Sequence, residues 1–234
     1  MKKFITLALM LCITLFMAAC SDKSADKNTP EDATSEQQQK ELTFEDKERI
    51  VEDTPVVSVN GKEINGNQYN SVYTRVKTML YQYGQDVSDL DAIKKQTISL
   101  LVDEELIRQD AADKEISVTE EEAQKELDAI KEETGEEQYN KLLEQYQMTE
   151  EEFRDQLLND LITVQYMEDQ FDIEVTDKEI QEYYDMLKEQ DEKVGELAEL
   201  EERIESVLYS QKQSEQLQVK VEALREKAEV ETLI

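Results

Sequence analysis

Pro55-Val56-Val57-Ser58-Val59-Asn60-Gly61-Lys62-Glu63-Ile64-Asn65 is the one stretch of the chain that reads clearly as β. Val56, Val57, Val59 and Ile64 are β-branched, a shape that packs well on a pleated surface. Asn60-Gly61 is the dipeptide that best tolerates the two positive φ angles of a type I′ turn. A hairpin over residues 56–64 follows. Two strands alone are marginal in water, so this hairpin needs a third strand or a helical cover. The other strand-like stretch is Val230–Ile234, at the far end of the sequence. If the two pair, the first and last folded segments close one body around everything between them.

What lies between reads as helix. From Val56 onward there is no proline, and Gly61, Gly66, Gly84, Gly135 and Gly195 sit where the apolar pattern breaks. After Asn65-Gly66, residues Tyr69, Val72, Tyr73, Val76, Leu80 and Tyr83 fall at helical spacings, with Gly84 as the C-cap. A second helix spans about Asp91–Lys114, with Ile98, Leu101, Val102 and Leu106 inward. Three later helices begin with one repeated signal, Thr119 with Glu122, Thr149 with Glu152, and Thr176 with Glu179. In each, the threonine can cap the amide three residues on while the glutamate returns a bond to the threonine amide, a capping box. The acidic clusters there are thus explained as helix starts, with the positive end of the dipole beside them, rather than as cation sites. Phe153, Leu157, Leu158, Leu161, Ile162, Tyr166 and Met167 make the Thr149 helix apolar on a wide face, which predicts a central position. A return helix over about 196–229 has apolar halves separated by the polar stretch Ser210–Gln216, where it either bridges water or bends.

The N-terminus reads as an address. Lys2 and Lys3 precede the apolar run Phe4–Phe16, which is short for a membrane span of about 20 residues. Ala18-Ala19-Cys20 resembles the lipobox of bacterial lipoproteins, although Met17 stands where leucine is usual. Residues 1–19 are then a lipoprotein signal peptide, and Cys20 is the acylated new N-terminus; an uncleaved anchor and a soluble secreted form are the alternatives. Cys12 would be removed with the leader, so no disulfide framework remains. Ser21–Thr54, with eleven acids against five bases and no sustained apolar period before Leu42, reads with Cys20 as a disordered acidic tether over 20–54, carrying at most a short helix near Thr43–Glu52.

Composition narrows the chemistry. The net charge is −31, and loss of Lys2 and Lys3 with the leader takes it to −33. Such a surface has no clustered cations for phosphate and repels anionic headgroups, so nucleic acid is excluded as a partner and membrane contact rests on the acyl chains alone. No histidine occurs. Ser-His-Asp and Cys-His catalysis are excluded with it, as are the usual zinc sites, and no Gly-rich phosphate loop is present. No catalytic residue, metal or cofactor is expected.

The order of these elements resembles the N-terminal chaperone domain of SurA-like and PrsA-like extracytoplasmic foldases. The resemblance rests on the lipobox, the acidic tether, the Val-Val-Ser-Val-Asn-Gly-Lys-Glu-Ile strand and turn, the helix pair containing Thr97–Asp110, the capped helix starts, and the segment Val175 to Tyr183-Tyr184. It implies a mainly α, multi-helix domain over 55–234, with the hairpin 56–64 closed by the strand 230–234. In that family a parvulin-type prolyl isomerase commonly follows the paired tyrosines. Here about ten residues separate Tyr184 from the return helix, against about 55 for a small self-sufficient domain. The resemblance therefore implies the chaperone half without the catalytic half.

The function expected is that of a lipid-anchored holdase on the outer face of the cytoplasmic membrane, in a Gram-positive cell, whose partners are unfolded or partly folded secreted proteins. Tyr69, Tyr73, Met79, Tyr83, Tyr183 and Tyr184 are the candidate client-binding side chains, because Met adapts its shape and Tyr joins an apolar ring to a hydrogen-bonding group. A stripe at helical spacing is more often core. An adaptor with one fixed envelope or spore-assembly partner is the second reading, an enzyme of unrecognised type the third, and pairing of two copies through the long last helix stays open.

Overall fold

Asn60 and Gly61 take φ of 53° and 81°, the left-handed pair that the hairpin turn demands. They join β1 (Pro55–Val59) to β2 (Lys62–Asn65), with Val57 opposite Ile64 and Val59 opposite Lys62. The register slips between Pro55 and Val57, the two-against-one count of a β-bulge. Val56 and Val57, neighbours in sequence, are accordingly both fully buried. The computed structural model describes residues 42–191 and 193–234, so the expected signal peptide, the expected lipidation site Cys20 and the expected tether up to residue 41 lie outside the described residues.

Seven helices follow among the described residues: α1 (Gly66–Gln82), α2 (Leu90–Asp113), α3 (Glu120–Thr134), α4 (Glu136–Tyr146), α5 (Glu150–Gln170), α6 (Asp177–Gln190) and α7 (Leu197–Arg225). β3 (Val230–Thr232) then pairs antiparallel with β1, giving the sheet order β2-β1-β3. The hairpin is thus closed by the far end of the chain, and the domain is mainly α as expected. All three threonine capping boxes form, with amide-to-hydroxyl distances of 3.2 to 3.3 Å and glutamate returns of 2.7 to 2.8 Å. The α4 helix was not foreseen: it starts directly at Gly135, whose φ of 80° breaks the path from α3.

The hub is α2, not the Thr149 helix. It packs on α1, α5, α7 and β1, whereas α5 meets α2 and α3 and buries fully only Leu157 and Tyr166. Its wide apolar stripe is spread over two partial contacts, so most of those side chains are half-buried. The main core joins β1 and Ile64 to Tyr69, Val72, Tyr73 and Val76 of α1 and to Ile93, Leu101, Val102 and Leu106 of α2. A second core joins Ile107 and Ala111 of α2 to Tyr166 of α5, with Leu217 and Val221 of α7 against them. A third is separate: Ile180 and Tyr184 of α6 with Ile204 of α7.

The 29-residue helix α7 therefore runs unbroken from the α6 core to the main body, and its polar middle lies between the two. Lys212, in that middle, donates to the Glu174 carbonyl at 2.6 Å and pairs with Glu179 at 2.6 Å. Lys212 and the Thr176 cap hold the Glu179 carboxyl down at about 2. The polar stretch is a tie to the start of α6, which an apolar residue could not make.

Residues 43–54 correct the tether boundary. They form a strap over α1 rather than a free spacer. Asn70 brackets it, accepting from the Ile50 amide at 2.9 Å and donating to the Ile50 carbonyl at 2.8 Å. The first amides of α1, Gly66 and Asn67, donate to the carbonyls of Thr54 and Glu52. A Cβ on Gly66 would lie 2.2 Å from the Val51 carbonyl oxygen, so glycine is required for the backbones to meet. The folded domain begins near Thr43, not Pro55.

Candidate functional site

The six candidate client-binding side chains divide sharply. Tyr69 and Tyr73, one turn apart on α1, are 2% and 3% exposed in the main core, with ring centroids 5.6 Å apart. Tyr184 is buried too, its hydroxyl donating to the Gly195 carbonyl at 2.8 Å. Tyr183 is half-buried against the same α6–α7 core. Tyr69, Tyr73 and Tyr184 are framework, because packing has already taken the faces a client would need, whereas Tyr183 keeps part of its ring accessible. Met79 and Tyr83 remain outside, 40% and 74% exposed and one turn apart at the end of α1. The structure does not bring them together with the α6 tyrosines in one core.

Under the strap, α1 carries a buried charge that the sequence reading passed over. Lys77 and Glu48 pair at 2.5 Å with their side chains only 5% and 2% exposed. Lys77 also donates to the Thr43 carbonyl at 2.7 Å and stands 4.9 Å from the centre of the Phe44 ring. The Tyr73 hydroxyl donates to Glu48 at 2.8 Å. Burial alone would push the Glu48 carboxyl up, but the bonds from Lys77, the Glu45 amide and Tyr73 outweigh it and hold it below the usual range. Burial and the Glu48 charge raise Tyr73 far above an ordinary phenol, and burial pushes Tyr69 up to about 12. A signal was available: Tyr69, Tyr73 and Lys77 lie at i, i+4 and i+8, and a lysine on an apolar stripe calls for a buried anion.

A second network ties α2, α5 and α7. Asp110 accepts from the Tyr166 hydroxyl at 2.5 Å and pairs with Lys220 at 3.1 Å and Lys114 at 3.3 Å. Nearby, Arg225 pairs with Asp103 at 2.5 Å and donates to the Ser99 carbonyl at 2.8 Å. Both networks are structural in kind, since each charge is matched by a protein partner; the Lys77–Glu48 pair is closed off from solvent, while the second network stays partly exposed.

An opening of a different kind lies between β2, the first turn of α1, α2 and α5. It is a cleft of about 300 Å³. Ile64 and Leu101 from the main core and Leu158 from α5 supply its apolar lining. Gln68 and Asn159 add amides, and Glu104, Glu105, Arg108 and Asp155 add charge. Glu104 is already paired with Arg75 at 2.6 Å, and Glu105 with Arg108 one turn along. No sequence pattern announced this site, because its walls run from Ile64 to Asn159, 95 residues apart along the chain. The cleft offers apolar contact and hydrogen bonds but no nucleophile beside a base. Among the described residues no cluster of three or more acidic or cysteine side chains is placed to hold a metal ion.

A three-stranded sheet closed by the chain end, a long α1–α2 pair and capped acidic helices are thus arranged around α2. The family profile of the SurA-like N-terminal domain matches residues 34–167, more than half of the chain. The chain belongs to the SurA-like N-terminal domain family. It is 30% identical over 154 residues to a foldase protein PrsA of Caldanaerobacter subterraneus subsp. tengcongensis, covering 61% of this chain and 46% of that protein. It is 31% identical over 156 residues to a foldase protein PrsA of Clostridium perfringens, covering 60% of this chain and 45% of that one. The chain thus spans about half the length of the curated relatives it matches. In this SurA-like domain the family match takes in the strap, which agrees with the docking of residues 43–54 on α1. The return helix, the α6 segment after residue 167 and β3 lie beyond the matched range.

Proposed function

We propose that this protein is a non-catalytic folding chaperone for secreted or envelope proteins, held at the outer face of the cytoplasmic membrane by acyl chains on Cys20. The observation that carries the reading is the cleft between β2, α2 and α5, where half-buried Leu158 and the edges of the core residues Ile64 and Leu101 lie among amide and charged groups. Loose recognition of unfolded chain needs that combination, apolar contact for any large side chain and hydrogen bonds for its backbone. The relatives' being named foldases supports the coarser part of this reading, a role in protein folding. Met79 and Tyr83 offer a second, smaller apolar contact at the surface. The acidic exterior keeps such a surface soluble. With no histidine to build a parvulin-type site, the proposed chaperone holds its clients without turnover.

The test is protection from aggregation. The Ser21–Ile234 fragment should suppress aggregation of several unrelated unfolded proteins, while a prolyl isomerase assay stays at background. Leu158→Asp, which places a charge on the apolar lining, should reduce the protection severalfold with the helical content unchanged. Protection of none of them, with capture of a single stoichiometric partner, would favour a dedicated adaptor and sink the holdase reading. An isomerase rate above background would refute the absence of catalysis. In cells, Cys20→Ala should release the protein from the membrane fraction.

A further inference from the structure

We infer that the cleft between β2, α2 and α5 selects extended segments in which a large apolar side chain is flanked by lysine or arginine. The inference rests on the chaperone reading and deepens it. About 300 Å³ is at the lower end of ligand pockets, room for one or two side chains and not for a folded element. The apolar side chain has a place chiefly against half-buried Leu158, since Ile64 and Leu101, which also line the space, are only 2% and 4% exposed.

What surrounds that place is not neutral. Three carboxylates and one guanidinium line the cleft. Arg108 is taken up by Glu105, and Glu104 by Arg75 from α1. Asp155 is left with no strong partner: its nearest cation is Arg154, its chain neighbour, at 3.8 Å, and its side chain is 68% exposed. The unmatched charge at the mouth is therefore negative, and it stands on a molecule whose net charge is −31. A cationic flank gains from both the near charge and the long-range field, and an acidic flank meets repulsion from both. Glu104, 28% exposed and paired with Arg75 through one oxygen, keeps a second carboxylate oxygen that a lysine or arginine can share, whereas both oxygens of the buried Glu105 are already taken by Arg108 and Gln109. Apolar contact thus supplies the anchor, and charge supplies the choice between segments.

The experiment uses the mature chain and two labelled dodecapeptides, identical in a central leucine-containing segment and differing only in having lysine or glutamate on both flanks. Binding is read by fluorescence anisotropy at low salt and at about 0.5 M salt, where the Debye length falls to a few ångströms. The lysine peptide should bind about tenfold tighter at low salt, with the gap closing to about twofold at high salt. Asp155→Lys should weaken the lysine peptide about fivefold, whereas Glu202→Lys, the same charge change on the exposed surface of α7, should do so less than twofold. Equal binding of the two peptides would overturn the selectivity and leave the chaperone reading standing. Equal losses from Asp155→Lys and Glu202→Lys would move the attraction to the general surface and overturn the site. If neither peptide binds, the inference fails; the chaperone reading fails with it only if aggregation protection is absent as well.

Discussion

Glu48→Ala is expected to destabilise the domain by about 3–5 kcal/mol, the usual cost of leaving one partner of a buried ion pair alone. Lys77 would keep its charge in a site where its side chain is 5% exposed, with only the Thr43 carbonyl and the Phe44 ring to face it. Tyr73 would lose the acceptor for its hydroxyl at the same time. A single domain is stable by about 5–15 kcal/mol, so this is a large share. Replacing both partners, Glu48→Leu with Lys77→Met, should restore much of the loss, because the pair as a unit contributes far less than the penalty for splitting it. Urea unfolding of the two variants decides the matter: a single-variant loss under about 1 kcal/mol, or a double variant as weak as the single, would show that the strap is not held by this pair. The pH dependence has a definite sign. Glu48 and Asp110 are both held below the usual carboxylate range despite burial, Asp110 by Tyr166, Lys220 and Lys114. Their contribution is present in full above the ordinary carboxylate value of about 4 and disappears as pH falls through the lower folded values. Acid unfolding should therefore set in below about pH 4, and Glu48→Ala should flatten that limb.

Removal of Val230–Ile234 should cost about 3 kcal/mol, chiefly through lost backbone pairing at about 1 kcal/mol per bond. These residues contribute little core of their own: Val230, Leu233 and Ile234 are 42%, 40% and 37% exposed. Their backbone covers β1, with Val57 opposite Thr232, Val59 opposite Val230, and the Leu233 amide donating to the Val56 carbonyl at 2.9 Å. Without them, the strand that carries three fully buried valines becomes an edge, open to pairing with another chain. Val230→Thr with Leu233→Ser keeps the backbone and should cost under about 1 kcal/mol, within the range of surface substitutions. Thermal unfolding and light scattering of the two variants separate the cases. If the polar double variant falls as far as the truncation, side-chain contact rather than strand pairing holds the closure.

The parts legible in the sequence were those whose causes lie within a few residues. Asn60-Gly61 sets its own turn, and each threonine finds its glutamate three residues on, so these forms precede any tertiary contact. Boundaries of α1 and α2 came out within one or two residues for the same reason. The strap did not, because its composition is that of a solvated spacer and its order depends on Asn70, Tyr73 and Lys77 across the fold. Nor did the roles of the tyrosines. Tyr73 and Tyr83 share a helix and a spacing pattern, yet one is enclosed by the strap and α2 while the other stands past the end of that cover.

By itself, then, the sequence determined the hairpin and the capped helices, consequences of local backbone preference and short-range hydrogen bonding, and marked Val230–Ile234 as a strand whose pairing with β1 is a contact across the fold. Tertiary structure alone decided which helix is the hub, which tyrosines are framework, that residues 43–54 belong to the domain, and where a cleft remains. The physical reason is the distance of the partners along the chain. Arg225 meets Asp103 122 residues away, and Asn60 exchanges hydrogen bonds with Glu229 across 169, separations at which only the packed fold says what faces what.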